Sequence, residues 1–162
     1  MEKMVEEKKI ILSNLALLNS AAFTGDYVSM KNWDHLTVIV GLAPASGTDT
    51  AAITLKQATD VGNSASDEKA LAFTSAWRCP SSTTVDALTK TTYASSITTS
   101  ATAVLELFVL EVDAADLDVA GGFDCVRADV TDPGAVSTPA FVLYILGRGR
   151  FQQATPPSAI VD

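Results

Sequence analysis

Histidine is almost missing from this chain: His35 stands alone among 162 residues. A catalytic base of the hydrolase-triad kind, or a histidine-rich metal centre, would have to be built around that one ring. It follows Asp34 and opens a β-branched stretch, where a satisfied or solvated strand-start side chain is expected rather than a base. Cysteine is scarce too. Cys79 and Cys125 lie far apart and lack nearby partners at zinc-binding spacing. With Glu2, Glu6 and Glu7 in a head unsuited to a signal peptide, export is not expected. The thiols therefore read as reduced small hydrophobes, with a disulfide as the lesser alternative. No apolar run approaches the roughly 20 residues a membrane-spanning helix needs, so no membrane partner is expected. Lys and Arg total 11 against 19 Asp and Glu, a net charge of -8. That balance argues against nucleic acid as a partner; the pair Arg148 and Arg150 reads as a solvated strand end. Nucleophile elbow, phosphate loop and dinucleotide fingerprint are all absent. The chain is thus expected to be no enzyme, with no catalytic, cofactor-binding or metal-ligating residues.

What remains is apolar and small. Hydrophobic residues make up 48% of the chain and charged residues only 19%, with Ala, Ser and Thr abundant. A single domain of this length buries roughly 70% of its unfolded surface, enough for a core without staples. Residues 10–18 crowd Ile10, Ile11, Leu12, Leu15, Leu17 and Leu18 behind the charged head. Ile11, Leu15 and Leu18 fit one helical face, so residues 1–26 read as an N-terminal arm or a short helix.

From Tyr27 onward strand patterns take over. His35 to Val40 places Leu36, Val38 and Val40 on one face, and residues 51–59 alternate after a loop, Ala43 to Asp49, that holds Pro, Gly, Ser and Asp. The two segments together suggest a hairpin. Residues 69–77 fit a strand or a short helix, and 78–103 a loop with one or two weak strands. Val104 to Val112 is apolar on both faces except Glu106 and Glu111, the pattern of a central strand covered on both sides. A helical turn at Ala114–Leu117, an alternating segment Phe123–Thr131, a turn at Asp132-Pro133-Gly134 and an apolar strand Phe141–Leu146 complete the body. The expected fold is all-β, an antiparallel β-sandwich or jelly roll over 27–151, with extended or partly helical terminal arms. Residues 152–162, with Pro156-Pro157, read as an extended tail.

Glu111, Asp113, Asp116, Asp118 and Asp124 form the densest acidic group. Calcium binding or paired-carboxylate catalysis is conceivable there, but aspartates around a strand connection more often cap turns. Among the aromatics, Trp33, Trp77, Phe73, Phe108, Phe123, Phe141 and Tyr144 read mostly as core. Trp33 and Phe151 flank strands and are the candidates for partner contact, together with Leu15 and Leu18 of the N-terminal arm and Pro156 and Pro157 of the tail.

Several stretches carry a resemblance. Tyr27-Val28-Ser29-Met30-Lys31-Asn32, Thr54-Leu55-Lys56-Gln57-Ala58-Thr59, Lys69-Ala70-Leu71-Ala72-Phe73 and Gly122-Phe123-Asp124-Cys125-Val126-Arg127 resemble a recurring type of small tailed-bacteriophage protein. So does the ending, Tyr144-Ile145-Leu146, then Phe151 and Pro156-Pro157-Ser158-Ala159-Ile160. The resemblance covers most of the chain after about residue 10. It implies a virion structural protein, first a capsid decoration or cement subunit binding the major capsid protein and copies of itself as a dimer or trimer. Its place would be the capsid surface, after assembly in the host cytoplasm. A receptor- or glycan-binding module of a head or tail fibre is the alternative.

Overall fold

The computed structural model describes residues 7–18, 21–43, 50–62, 67–79, 86–101, 105–134, 137–150 and 160. Chain order gives β1 (Lys9–Leu18), β2 (Phe23–Thr24), β3 (Val28–Ser29), β4 (Trp33–Leu42), β5 (Ala52–Ala58) and β6 (Lys69–Leu71). They are followed by β7 (Ser75–Arg78), β8 (Thr89–Thr92), β9 (Ile97–Thr98), β10 (Glu106–Asp113), β11 (Cys125–Val130) and β12 (Thr138–Gly149). Two 3-10 turns, Ala114–Asp116 and Val119–Gly121, join β10 to β11. One sheet runs β1-β12-β4-β10-β7-β8; the other runs β2-β11-β5-β6, with β3 also on β11 and β9 also on β5. Strand pairing is antiparallel throughout. The fold is therefore an all-β antiparallel sandwich.

Alternation supplies the core. The inward residues of β4 (Leu36, Val38, Val40, Leu42), β10 (Phe108, Leu110, Val112) and β12 (Val142, Tyr144, Leu146) are buried. They meet Ile53 and Leu55 of β5 and Val126, Ala128 and Val130 of β11 in one cluster. Each such Val, Leu, Ile or Phe side chain removed from water contributes about 1.5–3 kcal/mol, before chain entropy is set against it. Tyr144 carries a polar atom into this layer: its hydroxyl accepts the Ala128 amide hydrogen at 2.9 Å. Burial pushes its phenol pKa well above the ordinary tyrosine range.

The N-terminal segment is a strand rather than a helix. β1 pairs with β12 from Lys9↔Leu146 to Leu18↔Thr138, with a register shift between Leu12 and Asn14. That bulge turns Ser13 inward, where its hydroxyl accepts the Asp26 amide at 2.7 Å. It also explains the misleading helical spacing. Ile11 and Leu18 both point inward only because one extra residue lies between them, while Leu15 points out. The expected hairpin of β4 with β5 does not form either. β4 lies between β12 and β10 in one sheet and β5 beside β11 in the other, so the chain changes sheets between them. Residues 69–77 supply β6 and β7, and the Thr/Ser-rich middle supplies β8 and β9.

Cys79 and Cys125 are both buried thiols. At the turn after β11, the Gly134 amide donates to Asp132 Oδ1 at 2.8 Å, and Gly134 takes φ 109°, a conformation natural to glycine. The tail 152–162 lies outside the described residues except for Ile160.

Candidate docking face

The two outer faces of the sandwich differ in chemistry. On the β5–β11 sheet, Lys56 and Arg127 stand beside Glu68 and Asp129. Lys56 pairs with Glu68 and lies 3.7 Å from Asp129, while Arg127 reaches Glu68 and Asp129 at 2.9 Å each. Tyr27 donates its hydroxyl to Glu68 at 3.0 Å and lies under the Arg127 guanidinium, 4.6 Å from ring centre to carbon. The Lys56 ammonium leads in holding the Glu68 carboxyl below the usual carboxylate range, against the opposing effect of burial. This face is a closed network of opposite charges.

The outer face of the other sheet is apolar. Cross-strand register aligns Trp77, Val109, Ile39, Leu143 and Leu12 in one row across β7, β10, β4, β12 and β1. A second row joins Leu107, Gly41, Phe141 and Leu15. A third runs from Glu111 and Thr37 to Ile145 and Ile10. The central members are half-buried by their neighbours, and the flanks stand open: Trp77 is 40% exposed, Leu12 57% and Leu15 70%. Gly41 fits because Phe141 covers it; a Cβ at Gly41 would fall 2.2 Å from the Phe141 ring. A contiguous apolar surface over five adjacent strands is more than a solvated sheet face needs, and such patches mark contact sites.

One end of this face is polar. His35 Nδ1 lies 2.7 Å from Asp113 Oδ1, and its Nε2 meets Glu111. Thr37 donates to the same Glu111 carboxylate at 3.3 Å, and the exposed Arg148 lies 3.9 Å from Asp113. With both ring nitrogens engaged by carboxylates, His35 ties β4 to β10. The rest of the acidic group works locally. Asp116 accepts the Asp113 amide at 2.9 Å. Asp118 accepts the Gly121 amide at 3.0 Å and pairs with Lys69, the first of the two partners that hold its pKa low. Asp124 accepts from the Cys125 thiol at 3.1 Å. Among the described residues no group of three or more His, Cys, Asp and Glu side chains is arranged to hold a metal ion.

The expected contact residues divide. Leu15 lies on the apolar face. Leu18 and Trp33 do not, being 2% and 5% exposed within the core of the sandwich, because strand alternation turns both inward. Phe151, Pro156 and Pro157 lie outside the described residues. Trp77 is the exposed tryptophan that sequence reasoning assigned to the core. Its signal was the short alternation Ser75-Ala76-Trp77-Arg78, in which the buried Ala76 fixes Trp77 outward.

No family model matches the chain, and no curated protein matches it. Among solved structures, the SPBc2 prophage-derived protein YomS is 17% identical, over 88% of this chain and 94% of that one, at TM-score 0.46. A structure of Bacillus endospore appendages, a family of disulfide-linked pili, is 13% identical over 86% of this chain and 85% of that one, at TM-score 0.32. The CBM22-1–GH10 modules of a Clostridium thermocellum xylanase, complexed with xylohexaose, are 11% identical over 90% of this chain but 28% of that one, at TM-score 0.36. No functional conclusion follows from likenesses at this level.

Proposed function

We propose that this chain is a non-enzymatic structural subunit of a tailed-phage virion, a decoration or cement protein that binds neighbouring major capsid proteins and copies of itself. The observation that carries this reading is the difference between the two outer faces. One is sealed by Lys56, Glu68, Arg127 and Asp129. The other presents Trp77, Val109, Ile39 and Leu143 in an unbroken row. Interface centres are depleted of charge and anchored by aromatics, and that row has both properties. The net charge of -8 keeps the free subunit soluble until the apolar face is covered. The sequence resemblance to small phage virion proteins supplies the assembly, and the capsid surface is the corresponding location.

Purified virions should contain the chain in copy numbers comparable to the major capsid protein. Particles carrying the Leu143→Glu subunit should lose it while the isolated variant keeps its β-rich circular dichroism, because Leu143 points away from the core. A handful of copies per particle would move the protein to neck, tail or fibre. Retention of the Leu143→Glu subunit would move the contact off this face.

A further inference from the structure

The four sheet edges of this sandwich are not equally protected. In the β5–β11 sheet the edges are made of pieces two or three residues long, β2 and β3 on one side and β6 and β9 on the other. In the other sheet β8 is four residues long and carries Lys90. Short strands and an edge lysine are common means of discouraging strand addition. β1 has neither. It runs ten residues, and Ile10 to Leu18 contains no charge and no proline. Among the described residues its far side pairs with no other strand. Among the described residues, a row of backbone donors and acceptors about 33 Å long thus stands unpaired beside four outward apolar side chains. These are Ile10, Leu12, Leu15 and Leu17, exposed by 42%, 57%, 70% and 62%.

Their spacing identifies the occupant. In an antiparallel pairing of a strand with its own copy, residue i faces a residue whose number makes a constant sum with i. The set 10, 12, 15, 17 is symmetric about the point between Ser13 and Asn14, where the bulge lies. Centred there, Ile10 faces Leu17 of the second copy and Leu12 faces Leu15, so every outward apolar residue meets another. Without the bulge the outward set would follow an unbroken alternation and the centre would fall on a residue. With it, two bulges face each other and their extra residues cancel, so both halves of the ladder stay in register. Charge agrees: Lys9 falls opposite Leu18, and no like charges are opposed within the paired strands.

We infer that two copies of this chain join through β1, antiparallel about a two-fold axis between Ser13 and Asn14, into one continuous twelve-stranded sheet whose two apolar outer faces merge. This is an isologous contact, in which one self-complementary patch serves both subunits. The inference names the partner of one edge within the assembly reading and rests on that reading for its setting. Its test uses the purified full-length chain alone, so either can fail without the other.

Sedimentation of the full-length chain should show a reversible monomer–dimer equilibrium. Leu12→Glu and Leu15→Lys should each weaken it by about 100-fold, since a dimer of either variant buries two charges opposite leucines. Both side chains are exposed in the monomer, so thermal midpoints measured on dilute protein should scarcely move. Mixing the two variants is the decisive measurement. A mixed dimer sets the introduced carboxylate against the introduced ammonium on one side of the axis and keeps native Leu15 against native Leu12 on the other. Dimers should then return to within about tenfold of the original affinity. A chain that stays monomeric at every accessible concentration overturns the inference, as does a dimer indifferent to both substitutions. Failure of the mixture to restore association overturns the register.

Discussion

The ring of Phe141 occupies the space that any side chain on Gly41 would need, its Cε1 2.2 Å from the position of a Cβ there. The two residues are directly opposed on β12 and β4, and together they keep the centre of the apolar face smooth. Gly41→Ala should displace the ring and cost about 1–3 kcal/mol in urea unfolding. Phe141→Ala should open the space. The double variant should then be more stable than the sum of the two losses implies, with a coupling of about 1 kcal/mol. Simple additivity would show that the ring and the glycine do not constrain each other.

Glu106 is 1% exposed, pairs with Arg78 and accepts the Ser100 amide at 2.8 Å. Glu106→Ala leaves a partly buried guanidinium and a backbone donor without this acceptor, and should cost about 3 kcal/mol in chemical denaturation. Glu106→Gln keeps an acceptor for Ser100 and should lose less. Equal losses would place the whole effect in the charge and none in the Ser100 hydrogen bond.

Acid stability should depend on Glu68. Its folded pKa lies below the ordinary value of 4.5, led by the Lys56 hydrogen bond. A depressed carboxyl pKa contributes stability that is complete above the unfolded value and is lost as pH falls through the folded one. Wild-type stability should therefore decline below about pH 4.5 more steeply than that of Glu68→Gln. The variant should be the weaker protein at neutral pH, the two converging in acid. Parallel curves of unfolding free energy against pH would remove Glu68 from the account.

The body of the fold was legible where alternation was unbroken. The segments now forming β4, β10, β11 and β12 were readable as strands because period-two patterns survive for six residues or more. β1 was not, because a single bulge at Ser13 shifts the inward positions and imitates helical spacing. The β4–β5 hairpin was expected because sequence neighbours usually pair, and nothing local marks a change of sheet. The docking face was present in the sequence under another interpretation. Leu107 and Val109 on the second face of β10 read as a strand covered from both sides, whereas among the described residues the second layer lies on one side only. Trp33 and Trp77 were exchanged for a related reason: strand ends give too little pattern to decide which way a ring points.

β12 arrives last among the described strands and yet sits inside its sheet, between β1 and β4. A nascent chain still lacking it holds two long apolar strands, separated by a gap that β12 fills. Folding of this sheet therefore has to await synthesis of β12, and its closure brings together residues as distant as Lys9 and Leu146. Products terminated before β12 should go to inclusion bodies rather than to a smaller folded form, and slower growth at low temperature should raise the yield of intact subunit.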